Sequence, residues 1–287
     1  MPSPSEQVAQ ALRGAQPHYS HYAGGQLYWQ RWTAQSDSAA PPLVLIHGGF
    51  GSWNHWFRNI SALRQDREVW TLDLPGLGRS GEMPEPHTTQ HFAQIVLAGI
   101  KQLLGENSNF ALAGFSFGAM IAGQLAAMAG TRCSRCTLIG AVGFGELQVQ
   151  VPLLTPPDAE TPTTQAHRIQ RENLRRLMFY RPEFIDDLAV YLHGDNLARH
   201  RFRSRAIAVS NELAEVLPKI EAPLVGVWGQ EDATAGGLAA IDARRDLFQK
   251  AQPGAEFHIL PNVGHWAMYE APRRVNQILL SDLRALD

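Results

Sequence analysis

The chain has 287 residues, 45% hydrophobic, 9% aromatic and 18% charged, with 25 basic against 27 acidic side chains for a formal charge of -2. That length allows one large domain carrying an insertion or two modest domains, and the composition excludes a disordered or fibrous chain. With no net positive field, nucleic acid and anionic membranes are excluded as expected partners, which leaves a small-molecule substrate.

The N-terminal MPSPSEQVAQALRGAQ lacks the apolar run of a secretory signal, and no apolar stretch of about 18 residues occurs anywhere. A soluble, cytoplasmic protein is expected, with a homodimer allowed. Short apolar, β-branched segments then alternate with longer helical patterns, the signature of a mostly parallel sheet covered by helices. The expected elements run strand Leu27–Trp32, strand Leu43–His47, helix Trp53–Leu63, strand Glu68–Leu72 and helix Thr88–Leu104. Strand Phe110–Phe115, helix Gly118–Ala129 and strand Thr137–Val142 follow. Between Gly145 and Leu217 the alternation breaks. A Pro- and Thr-rich stretch, VPLLTPPDAETPTT, precedes the helical patterns HRIQRENLRRLMFY and PEFIDDLAVYLHG. This stretch of about 70 residues reads as a helical insertion rather than a structureless loop. Sheet signals resume with strand Leu224–Gly229, helix Ala239–Lys250, strand Glu256–Leu260 and helix Pro272–Leu286. The chain thus divides into one core, residues 1–145 and 218–287, interrupted by residues 146–217. Cys133 and Cys136 form a lone Cys-x-x-Cys without the second pair a zinc site needs, so no metal and no cofactor is expected.

The chemistry centres on Gly114-Phe115-Ser116-Phe117-Gly118, which joins the strand pattern NFALAGF to the helix pattern GAMIAGQLAAMAG. A Gly-x-Ser-x-Gly in that context is a nucleophile elbow. The glycines permit a turn too tight for a Cβ, and the serine hydroxyl is lifted above the sheet edge at a helix N-terminus. Out of context the same pentapeptide is only a strand–helix turn with a serine cap. Ser116 is the expected nucleophile. A serine hydroxyl barely ionises at neutral pH, so it needs a base, and the base needs an orienting acid. His265, in PNVGHW after the strand pattern EFHIL, is the expected base, in a loop at the carboxyl end of a parallel strand. Asp232, in GQED after PLVGVWG, is the expected acid, while the adjacent Glu231 is the alternative partner of the imidazole.

His47-Gly48-Gly49-Phe50-Gly51-Ser52 follows the strand PPLVLI and suits an oxyanion hole. The amide of Phe117 would be one donor and that of Gly49 or Phe50 the other. Trp53, Phe115, Phe144 and Trp266 cluster around these motifs and are the expected lining of a pocket for an apolar or aromatic substrate, with helix packing as their competing use. An arginine excess from Arg168 to Arg205 would steer a carboxylate-bearing substrate or simply coat solvated helix faces.

LVLIHGGFGSWNHW, LDLPGLGRS, GFSFGA, WGQEDAT and LPNVGHWAMYEAP, in this order over Leu43–Asp287, resemble successive signatures of the α/β-hydrolase superfamily. The resemblance implies an α/β-hydrolase fold: an eight-stranded, mostly parallel sheet with helices on both faces and residues 146–217 as a helical cap over the site. It carries the roles of nucleophile, acid and base onto Ser116, Asp232 and His265. NLRRLMFYRPEFIDD and GHWAMYEAP are also similar to the branch of meta-cleavage-product hydrolases, which split carbon–carbon bonds of ring-opened aromatics. The chain departs from that branch where Phe50 and Gly51 replace a Gly-Pro of the oxyanion loop, and where Phe115 replaces a small polar residue before the nucleophile. The expected function is hydrolysis of an ester or related acyl bond through an acyl-enzyme. Carbon–carbon hydrolysis of a ring-fission product and a non-catalytic ligand receptor are the alternatives.

Overall fold

The computed structural model describes residues 2–158 and 160–281. Its sheet comprises β1 (Gln16–Tyr22), β2 (Gly25–Trp32), β3 (Leu43–Ile46), β4 (Val69–Leu72), β5 (Phe110–Phe115), β6 (Cys133–Ile139), β7 (Leu224–Gly229) and β8 (Glu256–Leu260). The strand order is β1-β2-β4-β3-β5-β6-β7-β8. β2 runs antiparallel to both of its neighbours, and β3 through β8 are parallel.

The sequences explain this placement. LVLI of β3, FALAGF of β5 and LVGVWG of β7 are buried at every residue, as central strands covered on both faces require. QPHYSHY of β1 buries only Ser20, and such a polar, alternating segment is stable only at the edge, paired along its length with β2. Alternate residues of each strand feed two cores. Val44, Leu112 and Leu138 pack on one face; Leu45, Ala113 and Val227 pack on the other.

The helices are α1 (Pro4–Leu12), α2 (Ile60–Leu63), α3 (Thr89–Leu104), α4 (Phe117–Ala129), α5 (Thr163–Leu177), α6 (Asp187–Ala198), α7 (Arg205–Ala208), α8 (Glu212–Val216), α9 (Leu238–Ala251), α10 (Ala267–Glu270) and α11 (Pro272–Leu279). The chain between β6 and β7 holds α5 to α8, and among the described residues it contains no strand. It shares both sheet cores rather than building its own: Phe202 and Leu213 join one, Leu174 and Leu188 the other.

Several boundaries differ from the expected ones. The expected helix Trp53–Leu63 is a 3-10 turn, Trp53–Trp56, followed by the short α2. The expected strand Thr137–Val142 is shifted toward Cys133, because Gly140 turns at φ 51 and Gly143 at φ 93. Helix α11 ends at Leu279, and Asp282, Leu283 and Leu286 of the expected helix lie outside the described residues. Cys133 and Cys136 are free and buried in β6, and burial raises both thiols above their usual range. Among the described residues, no three His, Cys, Asp or Glu side chains form a group that could hold a metal ion, and no helix is long and apolar enough to cross a membrane.

Candidate active site

Ser116 occupies the joint between β5 and α4 with φ 53 and ψ -117, a left-handed conformation that a non-glycine residue holds only at a cost of about 1–3 kcal/mol. Its amide donates to the Ile139 carbonyl of β6 at 2.9 Å, which fixes the turn to the neighbouring strand. The flanking glycines are required by space rather than by their own dihedrals. A Cβ on Gly114 would sit 2.5 Å from the Gly118 carbonyl oxygen, and one on Gly118 would sit 2.2 Å from the His47 carbonyl oxygen. The strain therefore resides in the serine, and the glycines let α4 press against β3.

His265 Nε2 lies 3.0 Å from Ser116 Oγ, and His265 Nδ1 lies 2.7 Å from Asp232 Oδ2. Asp232 and His265 are each under 5% exposed (4% and 3%). The other carboxylate oxygen, Asp232 Oδ1, accepts the Thr234 amide at 2.8 Å and the Thr234 hydroxyl at 2.7 Å. Burial alone would raise the Asp232 carboxyl. The charge of His265 and hydrogen bonds from His265 and Thr234 outweigh it and hold the group below its usual value. Glu231, the alternative acid, accepts instead from Gln230 Nε2 at 3.3 Å, and among the described residues the carboxylate that meets the imidazole is that of Asp232.

The two loops carrying these side chains are laced together. Gln230 N donates to Leu260 O at 2.9 Å and Glu231 N to Val263 O at 3.0 Å. Glu270, a buried carboxylate in α10, accepts from the amides of Gly264 at 2.8 Å and Arg181 at 2.9 Å, tying the His265 loop to the chain after α5.

Gly49, Phe50 and Phe117 stand together on the wall of one cavity with Ser116 and His265. Phe117 opens α4, so its amide belongs to the helix-terminal set without an intrahelical partner. Behind this loop His47 acts as a post. Its Nδ1 meets Gly48 O at 2.7 Å and its Nε2 accepts the Leu74 amide at 2.9 Å, while burial pushes its pKa down to about 4 and keeps the ring neutral. His55 accepts the Gly48 amide at 3.3 Å, and a Cβ on Gly51 would fall 2.2 Å from its ring. Glycine at position 51 is thus demanded by His55. Phe50, at φ 54, stacks on His200 with ring centres 4.4 Å apart.

The cavity is about 110 Å³ and largely apolar, bounded by Phe115, Val142, Val149, Val151, Leu177 and Met178. Of the four expected pocket residues only Phe115 lines it, packed 4.8 Å from the His265 ring. Trp53 instead packs on Trp32 and Phe57, and Phe144 on Trp228 and Phe248 beneath the Arg244 guanidinium. Trp266 turns away from its neighbour His265 to donate to the His55 carbonyl at 2.9 Å. Adjacency in sequence does not fix side-chain direction, and these three are core residues. Of the arginines between Arg168 and Arg205 only the exposed Arg205 borders the cavity; others pair with Glu172, Glu270, Asp195 or Glu82. Sequence reasoning missed Thr234, although Asp-x-Thr is a local turn signal, and it missed Ser204, for which no signal exists.

A hydroxyl hydrogen-bonded to an imidazole that is itself held by a buried carboxylate can be deprotonated as it attacks an electrophilic carbon. The dihydrolipoyllysine-residue acetyltransferase component of the acetoin cleaving system of Pseudomonas putida is 30% identical to this chain, over 98% of the chain and 72% of that protein. A 2-hydroxy-6-oxononadienedioate/2-hydroxy-6-oxononatrienedioate hydrolase of Paraburkholderia phymatum is 28% identical, over 84% and 86%. The structure of a carboxylesterase from Bacillus subtilis superposes with a TM-score of 0.69 at 20% identity, covering 98% of this chain and 96% of that one, a likeness of fold alone. The profile of the Alpha/beta hydrolase family matches residues 43–278, and the chain belongs to that family.

Proposed function

We propose that this protein is a serine hydrolase that cleaves an ester or related acyl bond of a small, apolar or aromatic substrate. The observation that carries the reading is the line Ser116 Oγ, His265 Nε2, His265 Nδ1, Asp232 Oδ2, with links of 3.0 and 2.7 Å, opening into an apolar cavity. Ser116 Oγ attacks the acyl carbon as His265 Nε2 takes its proton, and Asp232 stabilises the imidazolium. The amides of Phe117 and of Gly49 or Phe50 receive the developing oxyanion. The imidazolium returns its proton to the departing alkoxide. Water, deprotonated by His265, then attacks the acyl-enzyme and releases the acid. Residues 146–217 act as the cap, contributing Val149, Val151, Leu177 and Met178 to the wall. No metal or cofactor takes part in this scheme. Two buried free thiols suit a reducing compartment, which supports a cytoplasmic location.

Carbon–carbon hydrolysis of a ring-fission acid is the second reading, favoured by the similarity to the nonadienedioate hydrolase and by Arg205 at the cavity. A dicarboxylate substrate would require cationic partners inside the pocket, and the apolar lining favours the ester. The test pairs p-nitrophenyl esters with a ring-fission dienoate, in wild type and Ser116→Ala, alongside labelling by an active-site phosphonate. We expect ester turnover and labelling to vanish in Ser116→Ala. Undiminished labelling of that variant sinks the assignment of Ser116. A dienoate kcat/KM about a hundredfold above the best ester, about 2.7 kcal/mol in transition-state binding, moves the assignment to carbon–carbon hydrolysis.

A further inference from the structure

We infer that Ser204, from the chain between β6 and β7, donates a third hydrogen bond to the acyl oxygen beside the amides of Phe117 and the Gly49–Phe50 turn. This inference rests on the serine-hydrolase reading. Ser204 is 4% exposed, yet it lines the same cavity as Ser116, Gly49 and Phe117. A Cβ built on Gly49 would lie 2.6 Å from Ser204 Oγ and 3.8 Å from the Phe117 Cβ. The hydroxyl thus lies against the Gly49 turn, on the wall of the cavity that Ser116 and Phe117 share.

Among the described residues the Ser204 hydroxyl has no hydrogen-bond partner, and the bonds of the serine run only through its carbonyl, to the amides of Ile207 at 3.1 Å and Ala208 at 3.0 Å. Structural serines elsewhere in the chain behave differently. Ser80 Oγ donates to Asp73 O at 2.5 Å and accepts the Tyr28 amide at 2.9 Å, and Ser52 Oγ donates to Asn196 Oδ1 at 2.8 Å. A hydroxyl on the cavity wall with no protein partner is available to donate to a bound acyl oxygen.

The backbone around Ser204 is held firmly although its hydroxyl is not. Arg201 N donates to Gly76 O at 3.0 Å, and its guanidinium reaches Glu82 at 2.6 Å and Gly78 O at 3.2 Å. Phe202 packs against Phe92 at 5.0 Å and stacks on Phe117 at 6.4 Å, the residue that follows the nucleophile. A donor fixed in advance and aimed where charge develops lowers the barrier without reorganisation during the reaction.

The test compares wild type with Ser204→Ala and Ser204→Thr on a p-nitrophenyl ester, and measures binding of two inhibitors. One is a trifluoromethyl ketone, which adds to Ser116 and places a charged oxygen in the site; the other is the matching alcohol, which cannot. For Ser204→Ala we expect kcat to fall about 10- to 100-fold with KM within about threefold. Ketone affinity should fall by the same factor as kcat and alcohol affinity should hold, while Ser204→Thr recovers most of the rate. A change below about threefold in both kcat and ketone affinity overturns the inference, as does an equal loss of ketone and alcohol binding. If Ser204→Ala does not fold, the near-isosteric Ser204→Cys is judged by the same criteria. Ser116→Ala is run in parallel: full activity in that variant removes the serine-hydrolase reading itself, whereas its inactivity beside an unaffected Ser204→Ala removes only the role of Ser204.

Discussion

Asp73 and Asp232 are both buried carboxyls just beyond the carboxyl ends of parallel strands, β4 and β7, and each accepts backbone amides. Asp73 binds the amides of Trp53 at 2.8 Å and Arg79 at 2.9 Å, and burial pushes its pKa up to about 6 against the pull of those bonds. Asp232 is just as deeply buried but is held low, because an imidazole faces it and Thr234 binds its second oxygen. Asp73 ends in backbone, so it can only fasten the 3-10 turn to the loop after β4. Asp232 ends in a ring whose far nitrogen meets a hydroxyl in a cavity. What separates the two is the group on the far side of the partner, not burial or loop position.

The sharpest way to break the contrast is Asp232→Asn against Asp73→Asn. The first should lower ester kcat about ten-thousand-fold, because the amide no longer fixes the tautomer of His265. The second should leave kcat within about threefold, read in the same assay. Thr234→Val, which strips one of the two bonds on Asp232 Oδ1, should cost about tenfold in kcat/KM.

Asp73→Asn should instead appear in stability. The folded value of about 6 lies above the ordinary 3.8, so the folded protein binds more protons between them, and the contribution of Asp73 falls as pH rises through that window. His47 and His193, buried with values of about 4 against an ordinary 6.5, act in the opposite sense: stability rises with pH across their window. Removing the opposing carboxyl should steepen the rise of the unfolding free energy, read from urea denaturation, between about pH 4.5 and 6, by on the order of 2 kcal/mol. A slope unchanged from wild type refutes that account. Glu231→Gln, the smallest effect, should change kcat/KM less than about twofold.

The central strands were legible because LVLI, FALAGF and LVGVWG are apolar on both faces, and the convergence of Ser116, Asp232 and His265 because each follows the carboxyl end of a parallel strand. β1 was not, since QPHYSHY has no apolar face and is stable only through its pairing with β2. Helix α1 was passed over although its start is written in Ser3, Pro4 and Glu6: the Glu6 amide donates to Ser3 Oγ at 3.3 Å and the Ser3 amide to the Glu6 carboxylate at 2.7 Å. The pocket was read worst. Whether Trp266 or Phe144 faces the cavity depends on packing against His55 or Arg244, hundreds or about a hundred positions away in the chain, and no local pattern encodes that.

The chain between β6 and β7 is tethered unevenly. Residues 199–204 are clamped to the loop after β4 by Arg201 and Phe202, whereas the described residues of the Pro- and Thr-rich stretch 152–162 are held mainly through Leu154 and Asn173, at 2.8 and 3.0 Å, and are largely exposed. Changes of length in the loose stretch cost little closure entropy. They would redraw the outer wall at Val149 and Val151 while Ser116, His265 and Ser204 keep their places. Length variants of this stretch would therefore reshape the cavity wall while leaving the proposed reaction centre in place.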